Sequence, residues 1–201
     1  MLLFGGGVVG TNACKIAVGM GADVTVIDVN LDRLAYLDDI FGSSIHTIYS
    51  TESNIERALT QADLVIGAVL IPGKAAPKLV KKEYLSKMKK GSVIVDVAVD
   101  QGGCCETTRV TYHDDPTYEV DGVIHYCVGN MPGAVPRTST IALTNATLRY
   151  GLEIAGNGLE NACKKIDSIY SAINTYQGYC TYKNVADGFN MQYKDIRELI
   201  Q

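Results

Sequence analysis

A glycine motif near the start of the chain constrains the fold most: Gly5-x-Gly7-x-x-Gly10 directly follows a short apolar run. A strand, this motif and a helix in succession are typical of the first turn of a dinucleotide-binding fold. There the glycines permit a tight turn, close approach of a pyrophosphate and close packing of the helix on the strand. The backbone amides of Val8 and Val9 would face the phosphates at the positive end of the helix dipole. The alternative is a glycine-rich turn without a ligand.

An acidic residue, Asp28, ends the second apolar run of the chain. A carboxylate at that position accepts hydrogen bonds from both hydroxyls of an adenosine ribose, and it repels a 2′-phosphate. Arg33 leaves an alternative open, because an arginine close behind the strand can receive a 2′-phosphate. We predict NAD as the cofactor in preference to NADP.

The chain up to about residue 130 alternates short β-branched runs with helical stretches. This pattern predicts an α/β fold, a Rossmann-type doubly wound parallel sheet with helices on both faces. The predicted strands are residues 2–4, 23–28, 44–48, 64–68, 92–97 and 123–127, and the predicted helices are residues 8–20, 32–41, 52–60 and 77–89. A C-terminal helical segment follows, with a long helix over 138–154 and a helical stretch over 159–170. We therefore predict a NAD-binding domain over residues 1–136 and a second part over residues 137–201.

Composition argues against several classes of function. The formal net charge is -4, so no broad positive field attracts nucleic acid or an anionic membrane. The lysines between Lys78 and Lys90 are predicted to form the solvated face of a helix. No apolar run reaches the roughly eighteen residues of a membrane span, and the six cysteines lack the spacing of a zinc or redox site. We predict a cytoplasmic protein with reduced cysteines, no metal, and neither nucleic acid nor a membrane as partner.

Two blocks combine polar residues with glycine or proline where chemistry is expected. Asp100 follows an apolar strand and precedes a Gly-Gly turn, which exposes its carboxylate as a general acid or base or as an orienting group. A turn-capping aspartate is the equally plausible alternative. Asn130 and Met131 stand among two prolines and two glycines, where they could contact a carboxamide and a ring, or simply connect two domains.

The three histidines show no catalytic pattern. None has a serine or cysteine partner at a recognisable spacing. His46 and His125 lie in strand-like segments, where a hydrogen-bonded structural role is expected, and His113 lies in a predicted loop. The sequence therefore predicts no nucleophilic triad.

Four blocks together resemble the alanine dehydrogenase family, which is related to the NAD-binding part of proton-translocating transhydrogenase. They are GGGVVGTN at residues 5–12, DLVIGAVLIPG at 63–73, DVAVDQGG at 96–103 and NMPGAVPRTST at 130–140. The resemblance runs over nearly the whole chain. It implies reversible oxidative deamination of L-alanine to pyruvate and ammonia with NAD, in which a hydride leaves the substrate carbon and water attacks the resulting imine.

The resemblance also implies roles for individual residues. Asp100 matches the catalytic aspartate of the family. The motif and the resemblance together assign the following residues to the cofactor: Gly5, Gly7, Val8, Val9, Gly10, Asp28, Arg33, Ser50, Val69, Leu70, Val97, Ala98, Val99, Asp100, Arg109, Val128, Gly129, Asn130 and Met131.

One departure from the family is large. The family has a catalytic histidine, and an arginine and a lysine that bind the substrate carboxylate, in a segment that precedes the glycine motif. None of the three histidines of this sequence matches that catalytic histidine. We expect a polypeptide truncated or split ahead of its cofactor domain, with residues 137–201 as the long helix and the C-terminal part of a substrate domain.

Several arrangements remain open for such a chain. Turnover would need the missing N-terminal half from a separately encoded chain, and the family forms homo-hexamers, so a homo-oligomer is the other expected partner. The alternatives for function are a non-catalytic NAD-binding module and the nucleotide-binding component of a transhydrogenase.

Overall fold

The structure, a computed structural model, describes residues 1–200 and contains two compact units. The first, here called the sheet unit, comprises Met1–Ile71 and Ala75–Met131. The second, here called the helical unit, comprises Pro72–Lys74 and the residues from Pro132 onward. Among residues 1–200, no helix is both long and apolar enough to cross a membrane.

The sheet unit is built on seven strands. They are β1 (Leu2–Phe4), β2 (Val24–Asp28), β3 (Ile45–Tyr49), β4 (Leu64–Gly67), β5 (Val93–Asp96), β6 (Thr117–Val120) and β7 (Val123–Tyr126). Their order is β3-β2-β1-β4-β5-β7-β6, and all neighbours are parallel except β6 and β7. The predicted doubly wound α/β sheet is confirmed, and the strand order reverses beside β1.

Strand β6 was not among the predicted strands. It lies at the edge of the sheet, and its residues alternate between exposed and half-buried. A two-residue turn joins β6 to β7, with Asp121 at φ 53° and Gly122 at φ 83°. An Asp-Gly pair with two positive φ angles is a favoured hairpin turn, so the sequence does carry a signal for this antiparallel pair.

Helices cover both faces of the sheet. They are α1 (Val8–Gly19), α2 (Leu31–Phe41), α3 (Glu52–Gln61) and the single turn α4 (Lys82–Leu85). Leu3 of β1 packs in one apolar cluster with residues of α1 and α2, whereas Leu2 and Phe4 pack in another with residues of α3 and α4. Alternate residues of β1 therefore anchor the two layers, as the pleat of a strand requires.

The predicted helix over residues 77–89 is wrong except for its middle turn. Residues 76–80 are extended and hydrogen-bond to the segment 101–106; for example, the Leu79 amide donates to the Cys104 carbonyl at 2.8 Å. These backbone bonds replace those that a helix would make. The predicted solvent exposure holds for Lys82, Lys87, Lys89 and Lys90, but of these only Lys82 lies in a helix. Lys89 pairs with Asp63 at 2.7 Å, and the other ion pairs of this stretch are Lys81–Glu52 and Lys87–Glu56.

The helical unit begins with α5 (Pro136–Asn157), which extends the predicted long helix at both ends. It continues with α6 (Leu159–Lys165), α7 (Asp167–Ala172), the hairpin β8 (Thr175–Tyr176) and β9 (Tyr179–Cys180), α8 (Lys183–Phe189) and α9 (Ile196–Leu199). Its small apolar core comprises Ala162, Cys163, Ile169, Ile196 and Ile200. None of the 22 residues of α5 is buried.

Candidate functional site

The residues predicted for the cofactor all belong to the sheet unit. Most of them follow the carboxyl ends of parallel strands, which meet at one edge of the sheet. Two lie elsewhere: Arg33 is in α2, and Arg109 is in the segment before β6. In open α/β sheets this edge, beside the point where the strand order reverses, is where ligands bind.

The glycine loop after β1 leaves no room for side chains at two positions. A Cβ atom on Gly10 would lie 1.9 Å from the Gly5 carbonyl oxygen, so α1 packs directly on the end of β1. Gly5 itself has φ 91°, and a Cβ atom there would lie 2.8 Å from the Ala68 carbonyl oxygen. Close approach of the backbone, and the left-handed conformation of Gly5, therefore require these glycines.

The amino end of α1 is open. Gly7 precedes the helix without any side-chain cap, and the first turn contains no acidic residue. A Cβ atom on Gly7 would meet nothing within 4 Å, and the Val8 side chain is 81% exposed. The first amides of a helix lack intrahelical partners, so this end offers N–H donors and the positive end of the dipole to an anion.

Asp28 and Arg33 hold the same residue, Gly6, through its two adjacent peptide groups. The Asp28 carboxylate accepts from the Gly6 amide at 2.6 Å and from the Asn30 amide at 2.9 Å. The Arg33 guanidinium donates to the Gly6 carbonyl and to the Thr11 hydroxyl. Each carboxylate oxygen of half-buried Asp28 has a second acceptor site for a ligand hydroxyl. Sequence reasoning missed Gly6 and Thr11, although the run of three glycines was a signal for the first.

Residues after β3 and β4 border this loop. The Ser50 amide donates to the Asp28 carbonyl at 3.0 Å. A Cβ atom on Gly5 would lie 3.3 Å from Val69 Cγ2, and the Leu70 side chain is exposed. The structure thus places Ser50 beside Asp28, and Val69 beside Gly5 of the glycine loop.

The predicted catalytic residue, Asp100, is exposed at the end of a 3-10 turn over Val97–Gln101. Ala98 and Val99 of this turn are buried, so they anchor it. The Asp100 carboxylate accepts from the Asn130 amide at 3.3 Å, and Asn130 has a left-handed φ of 52°. The two blocks that the sequence singled out, around Asp100 and Asn130, are therefore neighbours.

The other residues of the Asn130 block continue from β7 along the same edge. Val128 is buried, whereas Gly129 and Met131 are half-buried. The Gly129 amide donates to the Thr111 carbonyl at 3.0 Å. His113 lies beside this block, with Nε2 3.3 Å from the Asn130 carbonyl oxygen.

A fully buried carboxylate, Asp96, organises the loop after Asp100. It accepts from the Ala98 amide at 3.1 Å, the Cys104 amide at 2.8 Å and the Thr108 hydroxyl at 2.5 Å. The Cys105 amide adds a longer contact at 3.3 Å. Sequence reasoning missed this role, and the signal was an aspartate inside an otherwise apolar strand.

Arg109 is held on an aromatic stack. Its guanidinium lies 4.0 Å from the centre of the Tyr118 ring, which stacks on His125 at 4.9 Å. His125 is buried between the Thr107 hydroxyl at 2.8 Å and the Val123 carbonyl at 3.0 Å. Burial lowers the pKa of His125, so it is a neutral structural residue at neutral pH.

The remaining predicted groups lie outside this arrangement. His46 is exposed and pairs with Asp23 at 3.3 Å. All six cysteines are free and buried. Burial raises the pKa of the Cys104 thiol, and the nearby Asp96 carboxylate raises that pKa further. A buried thiol of this kind is an inert packing group.

Comparison with known proteins identifies the family of this chain. Residues 1–183 match the family model described as alanine dehydrogenase/PNT, C-terminal domain. Alanine dehydrogenase 2 of Staphylococcus aureus (strain USA300) is 56% identical over 200 residues, which cover 99% of this chain and 54% of that protein. The relative from strain MRSA252 is also 56% identical, over 199 residues. The chain spans about half the length of the curated relatives it matches.

Solved structures agree. An L-alanine dehydrogenase structure superposes with a TM-score of 0.83 at 50% identity, over 94% of this chain and 52% of that one. A transhydrogenase from Sinorhizobium meliloti superposes with a TM-score of 0.58 at 31% identity, over 67% of this chain and 38% of that one.

Proposed function

The chain belongs to the alanine dehydrogenase/PNT C-terminal domain family, and from that premise we propose that it forms the NAD-binding part of an L-alanine dehydrogenase. The observation that carries this proposal is the open amino end of α1, behind a glycine loop too tight for side chains and beside Asp28. The complete enzyme catalyses reversible oxidative deamination of L-alanine to pyruvate and ammonia.

The residues present fit NAD. The amides of Val8 and Val9 bind the pyrophosphate at the end of α1, where neither a side-chain cap nor an acid competes. Asp28 accepts the hydroxyls of the adenosine ribose, and its charge disfavours a 2′-phosphate. Arg33 supports NAD over NADP as well, because its guanidinium is already engaged by the Gly6 carbonyl and the Thr11 hydroxyl.

The second half of the site lies after β5 and β7. Val97–Asp100 and Val128–Met131 line the nicotinamide side, with Val69 and Leu70 at the nicotinamide ribose and Ser50 on the adenine side. Arg109, on its aromatic stack, completes the cofactor contacts. NAD bound at this site would supply the acceptor for the hydride of the substrate carbon. Asp100 is the proton-transferring residue: its carboxylate is exposed, and its orientation is set by the Asn130 amide.

Turnover requires groups that these 201 residues do not supply, and a separately encoded N-terminal half is the proposed partner that brings them. A homo-oligomer is the other proposed assembly. The share of the relatives that this chain spans, about half, supports that requirement. We assign residues 1–136 to the NAD-binding domain and residues 137–201 to the long helix and the C-terminal part of the substrate domain. The cytoplasm is the proposed location.

Two other functions are distinguishable. The higher identity to L-alanine dehydrogenase, 50% against 31%, favours it over the nucleotide-binding component of a transhydrogenase. A non-catalytic NAD-binding module shares the same cofactor site, and it differs in that no N-terminal partner restores turnover.

Calorimetric titration of the 201-residue chain with NAD and with NADP tests the proposal. We expect NAD to bind, and NADP to bind at least about tenfold more weakly because of the charge of Asp28. Absence of NAD binding at millimolar concentration would remove the cofactor assignment. In a mixture with L-alanine and NAD, NADH formation by the chain alone would contradict the need for a further segment.

A further inference from the structure

The loop that follows Asp100 is held by opposite charges on its two sides. Lys78 Nζ donates to three carbonyl groups of this loop, those of Gly102, Gly103 at 3.0 Å and Cys105 at 3.1 Å. From the other side, Asp96 accepts from the Cys104 and Cys105 amides. The Gly103–Cys104 peptide group therefore lies between an ammonium and a carboxylate, with its oxygen toward Lys78 and its N–H toward Asp96.

Lys78 is placed there by its backbone. The extended segment 76–80 is attached to the same loop at both ends: the Ala76 amide donates to the Gln101 carbonyl at 2.9 Å, and the Val80 amide to the Cys104 carbonyl at 3.1 Å. The lysine side chain needs only to reach across the segment it already pairs with. Its contact is thus part of the folded architecture of the sheet unit.

The loop cannot shift without breaking this arrangement. A Cβ atom on Gly103 would lie 2.4 Å from Thr108 Cγ2 and 2.6 Å from Asp96 Oδ2. A Cβ atom on Gly67, at the end of β4, would lie 2.1 Å from Cys104 Sγ. The loop is therefore closely packed on Thr108, Asp96 and the end of β4, and the two charges orient its Gly103–Cys104 peptide group.

We infer that Lys78 and Asp96 are positioning residues that set the nicotinamide side of the cofactor site through the loop Gly102–Cys105. This inference rests on the proposed function. The loop continues directly from the 3-10 turn Val97–Gln101, and the Gly102 and Gly103 amides bond back to the Val99 and Ala98 carbonyls at 3.0 Å. Fixing residues 102–105 therefore fixes the turn that presents Asp100, although neither charged residue lies among those assigned to the cofactor.

Two ligands that differ only in the nicotinamide test this role. The chain and its Lys78→Met variant are titrated with NADH, followed by nicotinamide fluorescence, and with ADP-ribose, followed by calorimetry. We expect the variant to bind ADP-ribose as the unaltered chain does, and NADH about tenfold more weakly, because only the nicotinamide side loses its ordered loop. Lys78→Arg, which keeps the charge and several donors, should recover most of the NADH affinity.

Hydrogen exchange gives an independent readout. The Gly102, Gly103 and Cys104 amides should exchange faster in Lys78→Met, and amides of α1 should not change. The matched control is Lys89→Met, which removes a lysine of the same stretch whose ion pair with Asp63 lies at the amino end of β4. It should leave both affinities and this exchange pattern unchanged.

The outcomes separate this inference from the proposed function. An unaltered chain that binds neither ligand overturns the proposed function and the inference with it. An unaltered chain that binds both, together with a Lys78→Met variant that binds both equally well or loses both equally, overturns the inference alone.

Discussion

The two halves of the candidate site achieve their shape by opposite means. In the half around β1 and β2, atoms come close because side chains are absent: the Gly10 position approaches the Gly5 carbonyl oxygen too closely for a Cβ atom. In the half around β5, a buried carboxylate holds the backbone in place, since Asp96 accepts hydrogen bonds from three backbone amides and a hydroxyl.

This difference determines how each half can fail. The first half tolerates no added atom, because the obstacle is the backbone itself. The second half tolerates no lost charge, because its buried amides would be left without an acceptor. The first is also recognisable from adjacent residues, whereas the second depends on residues that are far apart in the sequence.

The largest expected effect is in the first half, from Gly10→Ala. The new Cβ atom would lie 1.9 Å from the Gly5 carbonyl oxygen, so β1 and α1 must separate. We expect the free energy of unfolding to fall by about 3 kcal/mol, with loss of NAD binding. Denaturant unfolding measures it. Gly19→Ala, in the same helix with nothing within 4 Å of its Cβ position, is the control, and it should not destabilise the chain. Equal behaviour of the two variants would contradict this account.

The corresponding change in the second half is Asp96→Asn. An asparagine keeps the size but offers one acceptor oxygen and turns an NH₂ group toward the amides of Cys104 or Ala98. We expect a loss of about 2 kcal/mol in the free energy of unfolding. Asp100→Asn, four residues further on and exposed, is the control and should change stability by less than about 0.5 kcal/mol. An Asp96→Asn variant as stable as this control would contradict the claim that the second half depends on a buried charge.

Selectivity between NAD and NADP should depend on the first half of the site and not on the second. Asp28→Asn removes the charge that holds the Gly6 amide and that, in our proposal, accepts the ribose hydroxyls. We expect NAD affinity to fall about tenfold and NADP affinity to change much less. Calorimetry with both cofactors measures the ratio. Asp32→Asn, in the exposed first turn of α2, should leave that ratio unaltered, and an unchanged ratio in Asp28→Asn would remove Asp28 from cofactor selection.

The smallest expected effect is the pH dependence of the second half, through His125. Burial lowers its pKa below the ordinary value of 6.5, and the Asp96 carboxylate opposes that shift. The unfolded chain therefore binds the proton more readily than the folded chain. The contribution of neutral His125 to the free energy of unfolding is fully present above pH 6.5, and it decreases as the pH falls from 6.5 through the folded-state pKa. Urea unfolding of the chain and of His125→Gln, compared over this interval, measures it. A slope that persists unchanged in the variant would assign it to other groups.

Much of the fold was predictable from local patterns. Strands β1, β2, β3, β4, β5 and β7 were predicted because each is a short β-branched or apolar run. Strand β6 was not, because it is polar and lies at an edge. The helix predicted over residues 77–89 failed for a related reason: the extended pairing of residues 76–80 with 101–106 is a long-range interaction that overrides local helical preference.

The candidate site divides in the same way. The glycine motif, Asp28, Asp100 and Asn130 each had a local signal, either a turn or a strand end. No local signal identified the partners of Lys78 and Asp96. The roles of a lysine in a charged stretch and of an aspartate in an apolar strand depend on the groups that they contact in the folded chain.

The sequence by itself determined that this chain folds as a doubly wound sheet and where its glycine loop lies, since glycine spacing and apolar periodicity act over neighbouring residues. Only the tertiary structure decided that Asp28 and Arg33 hold Gly6 between them, and that Lys78 and Asp96 hold one loop from its two sides. The reason is physical: hydrogen bonds and charges act over a few ångströms in space, and the fold brings these groups within reach.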